Sequence, residues 1–308
     1  MGRIRLAKPS HLRAGDRVRL IAPGGPFDPD LLCAGQRILE GLGLVPVVDR
    51  GEFGREGFLA GSDARRAAAL AAALAEETTR AVWCIRGGYG TARLLSRLDL
   101  ARLRRHPKLV VGFSDITALL LQLARPGGFS AVHGPVVVQL SRLAKSDLGW
   151  LRTLLFGAPS PQAVPLGRTR TLVAGTAEGR LVAGNLSILA SLAGTPFAPD
   201  LDGAILCLEE VNEEAYRLDR LCWQLAAAGM LKGLRGVVVG ELTGCTPAGA
   251  GRYSAQRVLE RAVSALGRPA LAGAPFGHGR RNVALPVGVR VRLDATARSL
   301  TLLEPAVC

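Results

Sequence analysis

Lysine is nearly absent from this chain of 308 residues: Lys8, Lys108, Lys145 and Lys232 are the only four, and the formal net charge of +14 is carried almost wholly by arginine. Aromatic residues are also scarce, at 5%. The arginines are scattered along helical stretches rich in Ala and Gly, and no basic run is interleaved with aromatic side chains. A nucleic-acid surface needs such a cluster to stack bases and track phosphates, so no nucleic-acid partner is expected. A diffuse basic surface suits small anionic substrates equally well. None of the six cysteines (Cys33, Cys84, Cys207, Cys222, Cys245 and Cys308) stands in CxxC spacing, and Cys84 and Cys207 fall inside apolar runs. Buried free thiols in a reducing compartment account for this pattern. No apolar run reaches the length of a membrane span, and MGRIRLAKPSHLRAGDRVRLIAPGGP lacks the apolar core of a leader. A cytoplasmic protein without a membrane partner is expected.

What is present centres on residues 81–117, AVWCIRGGYGTARLLSRLDLARLRRHPKLVVGFSDIT. Two apolar runs, Val82–Ile85 and Leu109–Val111, each stop at glycine and polar residues and lead into helical sequence. Buried parallel strands whose carboxyl ends open into a cleft read this way. Similar alternation marks strands at Arg17–Ala22, Leu44–Val48 and Ser130–His133, and helices at Asp28–Gly41, Asp63–Ala75 (with Ser62 as N-cap), from about Thr91, and at Ile116–Ala124. A doubly wound parallel sheet follows, with its site at the carboxyl edge. A helix near Asp147–Phe156 and the stretch GAPSPQAVPLGRTR read as transitional. The second half has strands at Gly179–Ala183, Ala204–Leu208 and Gly236–Leu242, and helices at Asn185–Ala193, Glu213–Ala228 and Tyr253–Leu266. It closes with a hairpin of Val289–Asp294 and Ser299–Leu303. The length predicts two domains: residues 1–150, a linker at 151–172, and residues 173–308.

Ser114 stands on a strand-to-helix turn two residues after Gly112, where a hydroxyl is lifted out of the sheet and the next N–H points into the same space. It is the candidate nucleophile. A base must come from four histidines. His11 and His106 lie in polar, basic surroundings. His133 follows a strand and precedes Gly-Pro, while His278 sits between two glycines in PFGHGRRN. Glycines on both sides let a loop bring an imidazole against another backbone, which favours His278 over His133. The acid that would orient the imidazole is Glu209, which ends the apolar run Ala204–Leu208; Glu210 is its nearest rival, and pleat alternation sends only one of them into the cleft.

Taken together, IRGGYGTARLL, GFSDIT, GNLSILASLAGTP, ILCLEEVNEEAYRLDR and FGHGRRNVALPVG resemble the LD-carboxypeptidase family, serine peptidases of the muramoyl-tetrapeptide carboxypeptidase type. The similarity runs from about Val18 to Leu303. The resemblance implies Ser114 as nucleophile, Glu209 as the strand-end glutamate and His278 as the histidine of the glycine-histidine loop. It further implies a flavodoxin-like α/β N-terminal domain, a smaller β-rich α/β C-terminal domain, a site between them, no metal or other cofactor, and a homodimer. The substrate it implies is a muropeptide, the murein tetrapeptide losing its terminal D-alanine in cell-wall recycling. For that reaction the backbone N–H groups of Gly88 and Asp115 are the candidate oxyanion hole, Arg86 is a candidate for the substrate's terminal carboxylate or a brace for its own loop, and Tyr89 is a wall of the cleft. Two departures concern substrate preference: Ala183 precedes Gly184 where a second glycine is common, and Asn-Glu-Glu-Ala-Tyr lacks the usual proline. Two alternatives remain, an immunity hydrolase of the same fold acting on a peptide–nucleotide antibiotic, and an α/β ligand-binding protein without catalysis.

Overall fold

The apolar runs pair side by side in the computed structural model, which describes residues 6–245 and 254–308. In chain order the first half contains β1 (Arg17–Ile21), α1 (Pro29–Gly41), β2 (Val45–Val48), α2 (Asp63–Ala75), β3 (Ala81–Cys84), α3 (Leu100–Leu103), β4 (Leu109–Gly112), α4 (Thr117–Leu123) and β5 (Ala131–His133). The strands lie in the order β2-β1-β3-β4-β5, all parallel. This is flavodoxin-like order, reversing between β1 and β3, and such sheets open their crevice at that reversal. Helix starts follow the expected chemistry: Asp28 accepts from Asp30 N ahead of Pro29, and Ser62 accepts from Arg65 N. The helix expected from Thr91 is instead a 3₁₀ turn, Ala92–Arg97, followed by one turn of α3 capped by Asp99.

At the amino ends of these strands, Arg19 of β1 binds Glu76 just after α2, with Nε to Oε2 and Nη2 to Oε1 both 2.8 Å. The guanidinium holds the Glu76 carboxyl down at about 2, below its ordinary 4.5. A depressed carboxylate contributes stability that is fully present above pH 4.5 and is lost as pH falls through its folded value. Glu76→Gln is therefore expected to lower unfolding free energy by about 1 kcal/mol at pH 7, the linkage value being reduced by solvent screening. Denaturant titrations from pH 7 to pH 3 should show this gap closing. A gap that stays constant would assign the effect to packing.

The second half follows α5 (Lys145–Leu155) with β6 (Gln162–Ala163), β7 (Arg170–Val173), β8 (Thr176–Asn185), α6 (Leu186–Ser191), β9 (Ala204–Val211), α7 (Ala215–Ala227), β10 (Gly236–Thr243), α8 (Ala255–Ser264), β11 (Ala270–Ala272), β12 (Leu285–Val287), β13 (Arg290–Asp294) and β14 (Ser299–Leu302). Eight of these strands form a mixed sheet in the order β6-β14-β13-β8-β9-β10-β11-β7. Strands β8 to β11 are parallel and joined through α6, α7 and α8; β13 and β14 form the closing antiparallel hairpin. Tyr253, where α8 was expected to begin, lies outside the described residues. No helix among the described residues is long and apolar enough to cross a membrane.

Sheet membership departs from a division at 150 and 173. The stretch 151–172, rich in Pro and small residues, contributes β6 and most of β7 to the edges of the second sheet. In the other direction, β12 leaves the second half and pairs antiparallel with β5, with Leu285 opposite His133. Edge strands tolerate proline and short length, which is why this composition reads as linker. Between the sheets lies α4, every residue of which is buried, so it has packing partners on all sides. The halves approach closely at Gly184, where a Cβ would lie 2.4 Å from Thr117 Cγ2. Ala183 is itself buried, so the glycine this contact requires is the one retained.

Candidate active site

Three loops from the carboxyl edge of the first sheet meet at the reversal between β1 and β3. The loop after β1 hydrogen-bonds the loop after β3 through Gly25 N–H to Gly87 O, 2.8 Å. The glycines beside this contact leave little room for a side chain: a Cβ on Gly24 would lie 2.3 Å from Gly87 O, and one on Gly87 would lie 3.0 Å from Ser114 Cβ. Ser114 itself has φ +64° at the start of the 3₁₀ turn Ser114–Ile116. An L-residue held in the left-handed region costs about 1–3 kcal/mol, a strain found disproportionately at functional positions. Here the chain leaves β4, turns sharply and directs the Ser114 side chain over Gly87 into the cleft.

The second half delivers the other two groups. His278 Nε2 lies 2.9 Å from Ser114 Oγ, and His278 Nδ1 lies 2.7 Å from Glu209 Oε2. With the proton on Nδ1 donated to the carboxylate, Nε2 is the acceptor for the serine hydroxyl. Glu209 is fully buried, whereas the His278 side chain keeps 19% of its surface exposed to the cleft. Burial raises the Glu209 pKa; the His278 hydrogen bond and charge oppose that shift. Glu209 Oε1 has no hydrogen bond of ordinary length among the described residues. The Asn185 side chain also favours the charged carboxylate, more weakly than His278, so the imidazole is its main partner. The Phe113 ring packs 4.7 Å from the imidazole.

The pleat separates the two neighbouring glutamates. Glu210 points the other way, accepting from Asn185 Nδ2 at 2.7 Å, Ser187 N at 2.7 Å and Val211 N at 2.8 Å. It secures the start of α6, and among the described residues it makes no hydrogen bond to His278. His133 is also excluded from the hydrogen-bonded set. It is completely buried between Phe113 and Phe276, neither ring nitrogen has a hydrogen-bond partner among the described residues, and burial lowers its pKa to about 3.

The remaining candidates divide by side chain and backbone. The Asp115 carboxylate turns back to brace the glycine loop, accepting from Gly90 N at 3.2 Å, Thr91 N at 2.9 Å and Thr91 Oγ1 at 2.6 Å. Its N–H, one of the first in the 3₁₀ turn, has no backbone acceptor among the described residues. Gly88 has φ +91° and is exposed, its Cα beside Gly25. Arg86 is exposed and donates through Nη1 to Pro26 O, so it braces the two glycine loops. Tyr89 is half-exposed and meets Phe58 edge-on at 5.4 Å. Sequence reading missed Gly87, the glycine in contact with Ser114, and Arg66. The Arg66 guanidinium is buried and bonds Pro23 O, Gly61 O, Gly90 O and Asp63, tying three loops together. An arginine in an Ala-rich helix carries no signal of this, since the same pattern describes a solvated face. Among the described residues, no group of three or more His, Cys, Asp and Glu is arranged to hold a metal ion.

Comparison with known proteins agrees with this architecture. The LD-carboxypeptidase N-terminal domain matches residues 18–134, and the LD-carboxypeptidase C-terminal domain matches residues 178–293. The murein tetrapeptide carboxypeptidase of Pseudomonas aeruginosa is 37% identical over 295 residues, covering 90% of this chain and 93% of the relative. The crystal structure of muramoyltetrapeptide carboxypeptidase from Oxalobacter formigenes superposes with a TM-score of 0.80 at 30% identity, covering 93% of this chain and 97% of that one. The structure of MccF in complex with glutamyl sulfamoyl guanosine superposes with a TM-score of 0.88 at 18% identity, covering 98% and 99%, and shares the fold. With both domain matches in order around a cleft that joins a strained serine, a histidine and a buried glutamate, the chain belongs to the LD-carboxypeptidase family and is a serine-type carboxypeptidase.

Proposed function

We propose that this carboxypeptidase removes the terminal D-alanine of the murein tetrapeptide by cleaving an L,D bond, through an acyl-enzyme on Ser114. The observation that carries the reading is the continuous hydrogen-bonded chain from Ser114 Oγ through His278 to Glu209. Ser114 Oγ attacks the carbonyl carbon while His278 Nε2 takes the hydroxyl proton; Glu209 stabilises the imidazolium that forms. The imidazolium then donates that proton to the departing D-alanine amine as the C–N bond breaks. Water, deprotonated by the same Nε2, cleaves the acyl ester and restores the serine. The N–H groups of Gly88 and Asp115 receive the oxyanion, a service worth ~10²–10³ in rate for one donor. Arg86 keeps donors beyond its bond to Pro26 O, and a guanidinium binds a carboxylate through two parallel hydrogen bonds. The net positive chain suits a peptide that carries several carboxylates. Cell-wall recycling in the cytoplasm is the setting this substrate implies.

Purified protein incubated with the tetrapeptide should release D-alanine and leave the tripeptide. The same peptide ending in L-alanine should be cleaved far more slowly, and an aminoacyl sulfamoyl nucleoside of the kind seen with MccF should be a poor substrate. Release of the nucleoside product with no D-alanine formed would overturn the murein reading in favour of an immunity-type hydrolase. Inertness toward both would favour a ligand-binding role.

A further inference from the structure

His278 is carried on the crossover between the two sheets, residues 275–282, which leave β11 of the second sheet and enter β12 of the first. The crossover has no regular structure, and Gly277 (φ +138°) and Gly279 flank the histidine. A backbone this free would leave the imidazole undirected. Instead it is held from the first half of the chain. Gln139 Nε2 lies 3.4 Å from Gly277 O and 3.5 Å from Gly279 O, spanning the histidine. Gln139 Oε1 accepts from Asn282 Nδ2 at 2.9 Å, and Asn282 Oδ1 accepts from Gly277 N at 3.2 Å. Asn282 N–H in turn donates to Asp147 Oδ2 at 3.0 Å. Asp147, fully buried in the first turn of α5, also takes Arg281 Nε on both oxygens (2.9 and 2.8 Å) and Arg281 Nη2 at 2.6 Å. On the other side Glu241 closes against Gly279, where a Cβ would lie 1.9 Å from Glu241 Oε2.

We propose that Gln139 and Asp147 are positioning residues that hold His278 at hydrogen-bond distance from both Ser114 and Glu209. Gln139 grips the carbonyls on either side of the histidine, and Asp147 anchors the Arg281-Asn282 end of the crossover. Neither touches the reacting set. The consequence for rate rests on the serine mechanism proposed above; the consequence for His278 geometry does not. Because the clamp reaches from the first half of the chain to the histidine of the second, it also ties the base to the domain that carries the nucleophile.

The test uses the full-length protein with Gln139→Ala, Asp147→Asn and, as a control of matched destabilisation remote from the site, Glu76→Gln. In the clamp variants kcat for D-alanine release should fall about 10²-fold, as a misplacement near 1 Å can cause, with KM within ~3-fold of wild type because substrate binding is left intact. Without any substrate, the proton NMR signal of His278 Nδ1–H, assigned by its loss in His278→Gln, should stand far downfield in wild type and Glu76→Gln. It should move upfield or broaden away in folded Gln139→Ala. Wild-type kcat and an unmoved signal in folded Gln139→Ala would overturn the proposal. Asp147 is deeply buried, so if its variant does not fold, the half-buried Gln139 decides the matter alone. If wild type releases no D-alanine, the NMR signal still tests the clamp while the murein reading fails by itself.

Discussion

Ser114→Ala is expected to stop D-alanine release, with kcat/KM lower by at least ~10⁴-fold, since removal of the nucleophile leaves only the contribution of binding and oxyanion contacts. The change deletes one oxygen from a half-buried position whose backbone strain alanine also bears, so unfolding should be little altered. The loss should be grossly non-additive with the base. Ser114→Ala/His278→Ala should be about as slow as either single variant, because the groups act as a unit. Stopped D-alanine assays with acid trapping give a second readout: wild type should show an acyl-enzyme, the mass of the tripeptide less one water added at Ser114, and the alanine variant none. Undiminished release by Ser114→Ala would remove this residue from the reaction.

Glu209→Gln should cost about 10⁴-fold in kcat, the scale found when an orienting carboxylate becomes an amide in a serine-histidine pair. The new NH₂ can face Nδ1 and drive the imidazole proton onto Nε2, where it blocks acceptance from Ser114 Oγ. The stability effect should have the opposite sign from the rate effect. Glu209 is buried, its pKa is raised by that burial, and one carboxylate oxygen has no hydrogen bond of ordinary length among the described residues, so a neutral isostere should unfold no more easily than wild type. Glu210→Gln is the control. It weakens two hydrogen bonds at the start of α6 and one to Val211 N at the end of β9 and should lower stability by about 1–2 kcal/mol with a far smaller loss of rate. Equal loss of rate in the two variants would mean that the carboxylate is needed for folding and not for proton transfer.

The parallel strands and the serine turn were legible in the sequence because their causes are local: an apolar run stopped by glycine, a cap residue before a helix, a hydroxyl on a tight turn. Glu209 and Glu210 differ by one step of a pleat, and the sheet decides between them by sending Glu210 to α6. His278 and His133 are separated by a long-range fact, that β12 crosses into the first sheet and covers His133 while the crossover carries His278 to Ser114. The bracing role of the Asp115 carboxylate has no local signal either, because its partners Gly90 and Thr91 follow the neighbouring strand. Gln139, Asp147 and Arg66 were invisible for the same reason. Each acts through partners far along the chain, and a lone polar residue in a helical stretch has the same pattern whether it faces water or a buried loop. The two edge strands at 162–163 and 170–173 were read as linker because proline and short length mark both.

The passage of β12 into the first sheet has a consequence for biogenesis. During synthesis the first half emerges with every strand it needs except its outermost one, which lies some 150 residues downstream. Until the ribosome has delivered Leu285–Val287, the margin of β5 stays open and the imidazole is not yet seated beside the serine. A nascent or truncated chain thus carries Ser114 without His278 beside it, and under the proposed mechanism hydrolytic competence would arrive only when the last tenth of the polypeptide docks.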